Sequence, residues 1–314
     1  MAAQSVPFSA VVAMDNDSTD GAGDVARNFG CRVVAMGGNL GFARAVNAGW
    51  RMASTEWVAI LNSDVELDPH WLEQLLEESD EGVGFATGLI LRQGTSDIVD
   101  GTYDLVSRSG CAWRVGYGQA VPASKDPARI GIASGTASLF RRSVLEQLGG
   151  FDERYGSYME DVDFGLRCVR AGIGGTYVPA SVAWHHGSAT FGRWDARVVR
   201  LISRNQMMLV ARLYDQELIR ACLWPIFVGQ VLWGAVALRH GAGLAWFAGK
   251  WEALRAFRVE GTKSERLRKF LDDSEIEIRK ESRDPYWRWY FRLAGRSSTG
   301  APAAGPPITK DAAL

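Results

Sequence analysis

Residues 57–64 read WVAILNSD, an unbroken apolar run that stops at Asn62-Ser63-Asp64. The β-formers of residues 57–61 predict a buried strand, and the polar stop places Asp64 at its carboxyl end. In an open α/β sheet that edge is where ligands bind. Upstream, residues 8–14 (FSAVVAM) run in the same way into Asp15-Asn16-Asp17-Ser18-Thr19-Asp20. Between and beyond these two strands the pattern alternates. Helix is expected over 21–29, 42–52 and 69–78, the last capped by Asp68 with proline in its first turn. Strands are expected over 32–36 and 83–91. This alternation predicts an α/β fold with a mostly parallel sheet flanked by helices.

Residues 92–129 lose the pattern and read as a loop-rich insertion. Order returns over 130–140, followed by a helix over 143–148 that Gly149 and Gly150 stop. A strongly patterned helix covers 160–171, and short strands fall at 177–178 and 182–185. After Asp195 the composition shifts. A helix over 198–213 precedes residues 221–238, which contain no charged side chain and lie between Arg220 and Arg239. The expected organisation is a catalytic domain over 1–213, an apolar helical extension over 214–295, and a disordered tail over 296–314.

Bulk composition narrows the function. The 314 residues carry a formal net charge of -1, which argues against a nucleic-acid partner. Cys31, Cys111, Cys168 and Cys222 lie far apart without a CxxC pair, so a reduced, cytoplasmic compartment is expected. The N-terminal residues lack the pattern of a signal peptide. Gly21-Ala22-Gly23-Asp24-Val25-Ala26 matches G-x-G-x-x-A, but a polar loop separates it from its strand and no acid closes the next one, so dinucleotide binding is rejected.

The acids carry the chemistry. Asp15 and Asp64, at two strand ends, suit a divalent cation and a nucleotide, because Mg2+ and Mn2+ favour oxygen ligands shared with phosphates. Capping of the following helices accounts for either acid alone equally well. Glu160-Asp161-Val162-Asp163 opens a helix, where acids are favoured by the dipole, and Asp163 can pair with Arg167 four residues on. Spacing alone favours that structural role, with Asp161 left over for general-base work. His185 and His186 point opposite ways on a strand, so at most one reaches a given site.

Together these stretches resemble the family 2 glycosyltransferases of the GT-A fold, and within them the bacterial rhamnosyltransferase-like branch. The resemblance rests on residues 15–21 (DNDSTDG), 39–49 (NLGFARAVNAG), 61–64 (LNSD), 134–137 (SGTA) with Arg141-Arg142, 149–153 (GGFDE) and 158–163 (YMEDVD). Pro179-Ala180, Trp184-His185 and Arg204-Asn205 complete it, in shared order over residues 11–205. It implies an inverting transfer of a sugar from a nucleotide-diphosphate donor. Asp15 would contact the base, and Asn39 and Gly41 would lie beneath the nucleotide. Asp64 would hold Mg2+ or Mn2+ with His185, and Asn62 replaces the first acid of the metal element. Asp161 would be the base with Glu160 beside it, and Ser134, Gly135, Thr136 and Asp152 would border the sugars. The residues before Asp15 suffice for one strand, so the family's first strand–helix unit is expected to be missing.

The expected acceptor is a cell-surface polysaccharide or lipid-linked glycan, met at the inner face of the cytoplasmic membrane. Trp224, Trp233, Trp246 and Trp251 with Arg220, Arg239, Lys250, Arg255 and Arg258 suit helices lying at headgroup level. A hairpin buried on the catalytic domain is the alternative for that segment. A non-catalytic nucleotide-sugar-binding remnant and a membrane scaffold are the competing functions.

Overall fold

The computed structural model describes residues 3–95, 97–124, 126–186 and 194–295; the tail expected over 296–314 lies outside them. The chain begins with β1 (Val12–Asp15), α1 (Ala22–Asn28), β2 (Arg32–Ala35) and α2 (Phe42–Trp50). Next come β3 (Trp57–Leu61), β4 (Val65–Leu67), α3 (Trp71–Glu77) and β5 (Val83–Arg92). The insertion contributes β6 (Val99–Gly101), β7 (Asp104–Val106) and β8 (Ala112–Arg114). Then follow β9 (Ala128–Ile130), β10 (Ala137–Arg141), α4 (Arg142–Leu148), α5 (Glu160–Ala171) and β11 (Gly174–His185). The remainder is helical: α6 (Ala196–Leu213), α7 (Gln216–Arg239), α8 (Gly243–Arg255), α9 (Glu265–Glu281) and α10 (Pro285–Leu293).

The main sheet has the order β3-β10-β5-β11-β4, with β6 on β5 and β9 on β11. It is mixed. β3, β5 and β11 run the same way, while β10 lies antiparallel between β3 and β5. β1 and β2 form a separate parallel pair. Side-chain alternation along β5 sorts residues to two faces. Phe85, Leu89 and Leu91 meet α2, α4 and α5 through Trp50, Leu145 and Phe164. Ala86 and Ile90 meet α3 through Trp71, Leu72 and Leu75. With both faces covered, the strands read as continuous apolar runs.

Three expectations change. Asp68 does not cap α3: its Oδ1 accepts from His70 N at 2.9 Å, and His70 is the observed cap. The two short strands expected over 177–185 are one, because a register shift between Val178 and Val182 takes up Pro179. The insertion contains three strands of three residues each, too short for any period to show.

Helices α7 and α9 share a core with α5 and α6. Cys222, Ile226, Leu267 and Leu271 pack with Val162, Leu166, Leu209 and Tyr155. α8 lies against α6 so closely that a Cβ on Gly249 would stand 2.2 Å from Arg200 O.

Candidate active site

The loops after β1 and β2 are stitched together. Asn16 Oδ1 accepts from Leu40 N at 2.8 Å, and Asn16 Nδ2 donates to Asn39 Oδ1 at 3.2 Å. Asn39 Oδ1 also accepts from Gly41 N at 3.2 Å. Asp15 ends β1 with its Oδ1 on Ser18 N (2.9 Å), and that amide holds the carboxyl below its usual range. Gly41 has φ +86°, and a Cβ there would stand 2.8 Å from Gly156 O. Only glycine fits. Ala43 N donates to that Gly156 oxygen (2.9 Å) and Phe42 N to Ser157 Oγ (3.1 Å). The 39–41 loop is therefore anchored to the turn that precedes α5.

Asp161 stands in the first turn of α5. Its Oδ2 accepts from Gly135 N at 2.9 Å and its Oδ1 from Val162 N at 2.8 Å. Ser134 Oγ donates to Thr136 Oγ1 at 3.0 Å, and Thr136 O accepts from Asn62 N at 2.9 Å. The 134–136 segment thus bridges Asp161 to the end of β3, two residues from Asp64. Glu160 is buried, its Oε2 has no hydrogen-bond partner among the described residues, and burial pushes its carboxyl well above the usual range. Asp163 is fully buried on Arg167 Nε (2.8 Å) and Tyr155 OH (3.1 Å), the pair that the sequence spacing suggests.

The turn before α5 is strained and held. Tyr158 and Met159 have φ +70° and +71°, unfavourable for side chains of their size. Asn205 on α6 answers with Nδ2 on Tyr155 O (3.1 Å), Ser157 O (3.0 Å) and Tyr158 O (2.7 Å). Asp152, expected beside the sugars, pairs with Arg154 at 3.1 Å and Arg212 at 2.5 Å.

The end of β11 meets Asp64. β4 and β11 are antiparallel with His185 opposite Val65, so His185 lies next to the Asp64 backbone. His185 Nε2 is 3.3 Å from Asp64 Oδ2, and its Nδ1 donates to Asp100 Oδ2 at 2.8 Å. The two carboxylates raise the imidazole to about 9, Asp100 contributing most, and His185 in turn holds Asp64 below its usual range. His186 N donates to Asp64 O at 2.9 Å. Arg114 on β8 donates to Asp104 Oδ1 (3.3 Å), and its charge also reaches Asp161 and Asp100. Its stem crosses Gly101, where a Cβ would be 2.4 Å from Arg114 Cδ. Sequence reading missed Asp100, Asp104 and Arg114, all within the insertion. Short strands without a period carried no signal for them.

Asp64 and His185 suit a divalent ion. Binding there would expel the Nε2 proton that now links His185 to Asp64 at 3.3 Å, because an imidazole ligates a metal only through an unprotonated nitrogen. Among the described residues no group of three or more His, Cys, Asp or Glu side chains is arranged to hold an ion. Mg2+ and Mn2+ commonly complete so small a protein donor set with substrate phosphate oxygens and water.

A mixed sheet with acids at its strand ends, covered by helices on both faces, is the GT-A type of fold. The structure matches that of GalNAc-T7 with UDP, GalNAc and Mn2+ at a TM-score of 0.54. The match covers 72% of this chain and 45% of that one at 15% identity. The chain belongs to glycosyl transferase family 2, whose model matches residues 2–149, and is a glycosyltransferase. It is 34% identical over 215 residues to N-acetylglucosaminyl-diphospho-decaprenol L-rhamnosyltransferase of Mycobacterium tuberculosis, covering 60% of this chain and 69% of that one. It is 29% identical over 158 residues to pre-mycofactocin glycosyltransferase of the same organism, covering 50% and 32%. Because the family match starts at residue 2, it does not bear out the expected loss of an N-terminal unit.

Proposed function

We propose that this glycosyltransferase moves a sugar, with inversion, from a nucleotide-diphosphate donor to a hydroxyl of a lipid-linked glycan. The observation that supports the reading is the bridge Asp161–Gly135–Thr136–Asn62, which ties the Asp161 carboxylate to the end of the strand that precedes Asp64. Asp161 Oδ takes the acceptor proton as the acceptor oxygen bonds the anomeric carbon. The carbon–phosphate oxygen bond breaks, and the nucleoside diphosphate leaves with the electron pair. Asp64 and His185 would hold Mg2+ or Mn2+, which would supply positive charge to the leaving diphosphate. Asp15 with the 39–41 loop receives the nucleotide, and Ser134–Thr136 borders the sugars. Burial pushes the Glu160 carboxyl well above its usual range, which favours its neutral form beside Asp161. A non-catalytic remnant has no need for this assembly.

The likeness to the mycobacterial N-acetylglucosaminyl-diphospho-decaprenol L-rhamnosyltransferase supports a rhamnosyl donor and an acceptor of the sugar-diphospho-lipid type. Such an acceptor places the enzyme at the inner face of the cytoplasmic membrane. α7 is long and apolar enough to cross a membrane by length and composition. Its Cys222, Ile226, Val228 and Gln230 are nevertheless buried within the protein. Docking along the surface fits this helix better than crossing. Leu223, Trp224, Phe227 and Val231 on α7, with Leu244, Phe247, Trp251 and Leu254 on α8, supply an exposed apolar face.

Asp64→Asn tests the site. Transfer by the full chain should fall about 10²–10³-fold, the scale of losing one electrostatic contact to developing charge. The variant should still fold, with a cooperative thermal transition lowered only by the loss of the ion pair with His185. Turnover at the parental rate in the presence of chelator would overturn the metal assignment.

A further inference from the structure

The end of the helical region holds a second feature, which no catalytic role uses. A groove of about 260 Å³ opens between the C-terminal end of α9 and α10, with Arg279, Ser282, Arg288 and Arg292 around it. Its floor is apolar, formed by Ile278, Trp287 and Phe291, which are buried. Two of the guanidiniums lie over aromatic rings: Arg279 is 4.5 Å from the Phe291 ring centroid and Arg292 5.3 Å from that of Trp289. Among the described residues none of the three arginines pairs with a carboxylate. The nearby acids are engaged elsewhere, Glu281 with Lys280 at 3.1 Å and Asp284 with Tyr286 N at 2.8 Å as the cap of α10. Three like charges around one groove repel each other, and an anion with several acceptor oxygens removes that repulsion.

The groove adjoins the exposed apolar face. Trp224 Nε1 on α7 donates to Leu293 O at the end of α10 (2.9 Å), and both side chains are exposed, as is Trp289. Arg288 and Arg292, one turn apart, share the exposed face of α10 with Trp289 and Leu293. Basic forks flanked by Trp and Leu, continuous with an apolar stripe, match a layer where phosphate meets hydrocarbon.

We propose that Arg279, Arg288 and Arg292 bind the phosphate groups of anionic lipid headgroups, with Trp224, Trp289 and Leu293 inserting at the acyl boundary beside them. This rests on the membrane reading above and adds a phosphate-specific contact on α10 to the apolar contact on α7 and α8. The occupant is the bilayer surface, not free phosphate. Each guanidinium near an anionic surface contributes about fivefold to partitioning.

Sedimentation of the full chain with vesicles tests it. Vesicles of phosphatidylcholine alone are compared with vesicles that also contain phosphatidylglycerol. The parent should bind the anionic vesicles more tightly. The triple variant Arg279→Gln, Arg288→Gln, Arg292→Gln should lose about 100-fold of anionic binding, the product of three fivefold contributions, while keeping parental binding to neutral vesicles and parental thermal stability. Inorganic phosphate at millimolar concentration should not displace the parent. Equal anionic binding by parent and variant would overturn the groove assignment alone. Displacement by phosphate would mark the groove as a free-anion site and overturn the proposal too. If the parent binds neither vesicle, the membrane reading itself falls.

Discussion

His185 donates from Nδ1 to Asp100 at 2.8 Å, which leaves its Nε2 facing Asp64 Oδ2 at 3.3 Å. A carboxylate behind an imidazole fixes the tautomer and the ring plane of a metal-binding histidine. Asp100→Ala should therefore weaken Mn2+ binding about 10- to 100-fold, read by electron paramagnetic titration of the full chain. Asp100→Asn, whose amide oxygen still accepts, should recover part of the loss. Unchanged Mn2+ affinity in the alanine variant would remove Asp100 from the site.

Asp161 and Asp163 stand on one turn of α5 and should separate cleanly. Asp161→Asn keeps an oxygen for Gly135 N, so the fold should stand while transfer falls roughly 10²–10⁴-fold. Asp163→Asn leaves Arg167 without its buried charge partner, and about 3–5 kcal/mol of stability should go with it. Urea unfolding and initial rates on both variants decide the matter. Similar stabilities with similar rates would contradict this division.

Gly41→Ala should disturb donor binding more than backbone strain alone explains. Its Cβ would meet Gly156, whereas Gly118, also at positive φ (+69°), faces open space. Gly118→Ala should cost about 1–2 kcal/mol of stability. Gly41→Ala should cost more and also raise KM for the donor, because the 39–41 loop must leave the turn before α5. Matching losses in the two variants, with donor KM unmoved, would show that the contact is unimportant.

Lys250 gives a pH dependence. It is buried with its Nζ on Ser203 O (2.7 Å), Gln206 Oε1 (3.2 Å) and Gln230 Oε1, near Cys111, and among the described residues no carboxylate pairs with it. Burial lowers it to about 7, from an ordinary value of 10.5. Between these values the unfolded chain binds the proton that the folded chain has lost. Stability should then rise with pH from about 7 toward 10.5, by about 1.4 kcal/mol per unit, and the charged form should be a full penalty below 7. Lys250→Met should flatten that slope when urea midpoints at pH 6.5 and pH 9 are compared. Equal slopes in parent and variant would rule it out.

What was legible in the sequence is what depends on neighbours along the chain. Trp57–Leu61 and Glu160–Ala171 form as their apolar runs and stop residues predict, because strand and helix periods are local properties. The order of the motifs from Asp15 to Asn205 was enough to mark Asp15, Asp64 and Asp161 as the acids of interest. Tertiary structure alone decided their partners. Asp100 and Arg114 reach His185 and Asp104 through strands of three residues, whose pairing energy comes from β5 and from each other rather than from their own sequence. The antiparallel β10 made the sheet mixed, since strand direction is fixed by which neighbour completes the ladder. The three arginines of α9 and α10 are spread over fourteen positions and became one groove only when the helices packed. Contacts between residues far apart in sequence leave no period to read, and those contacts built the site.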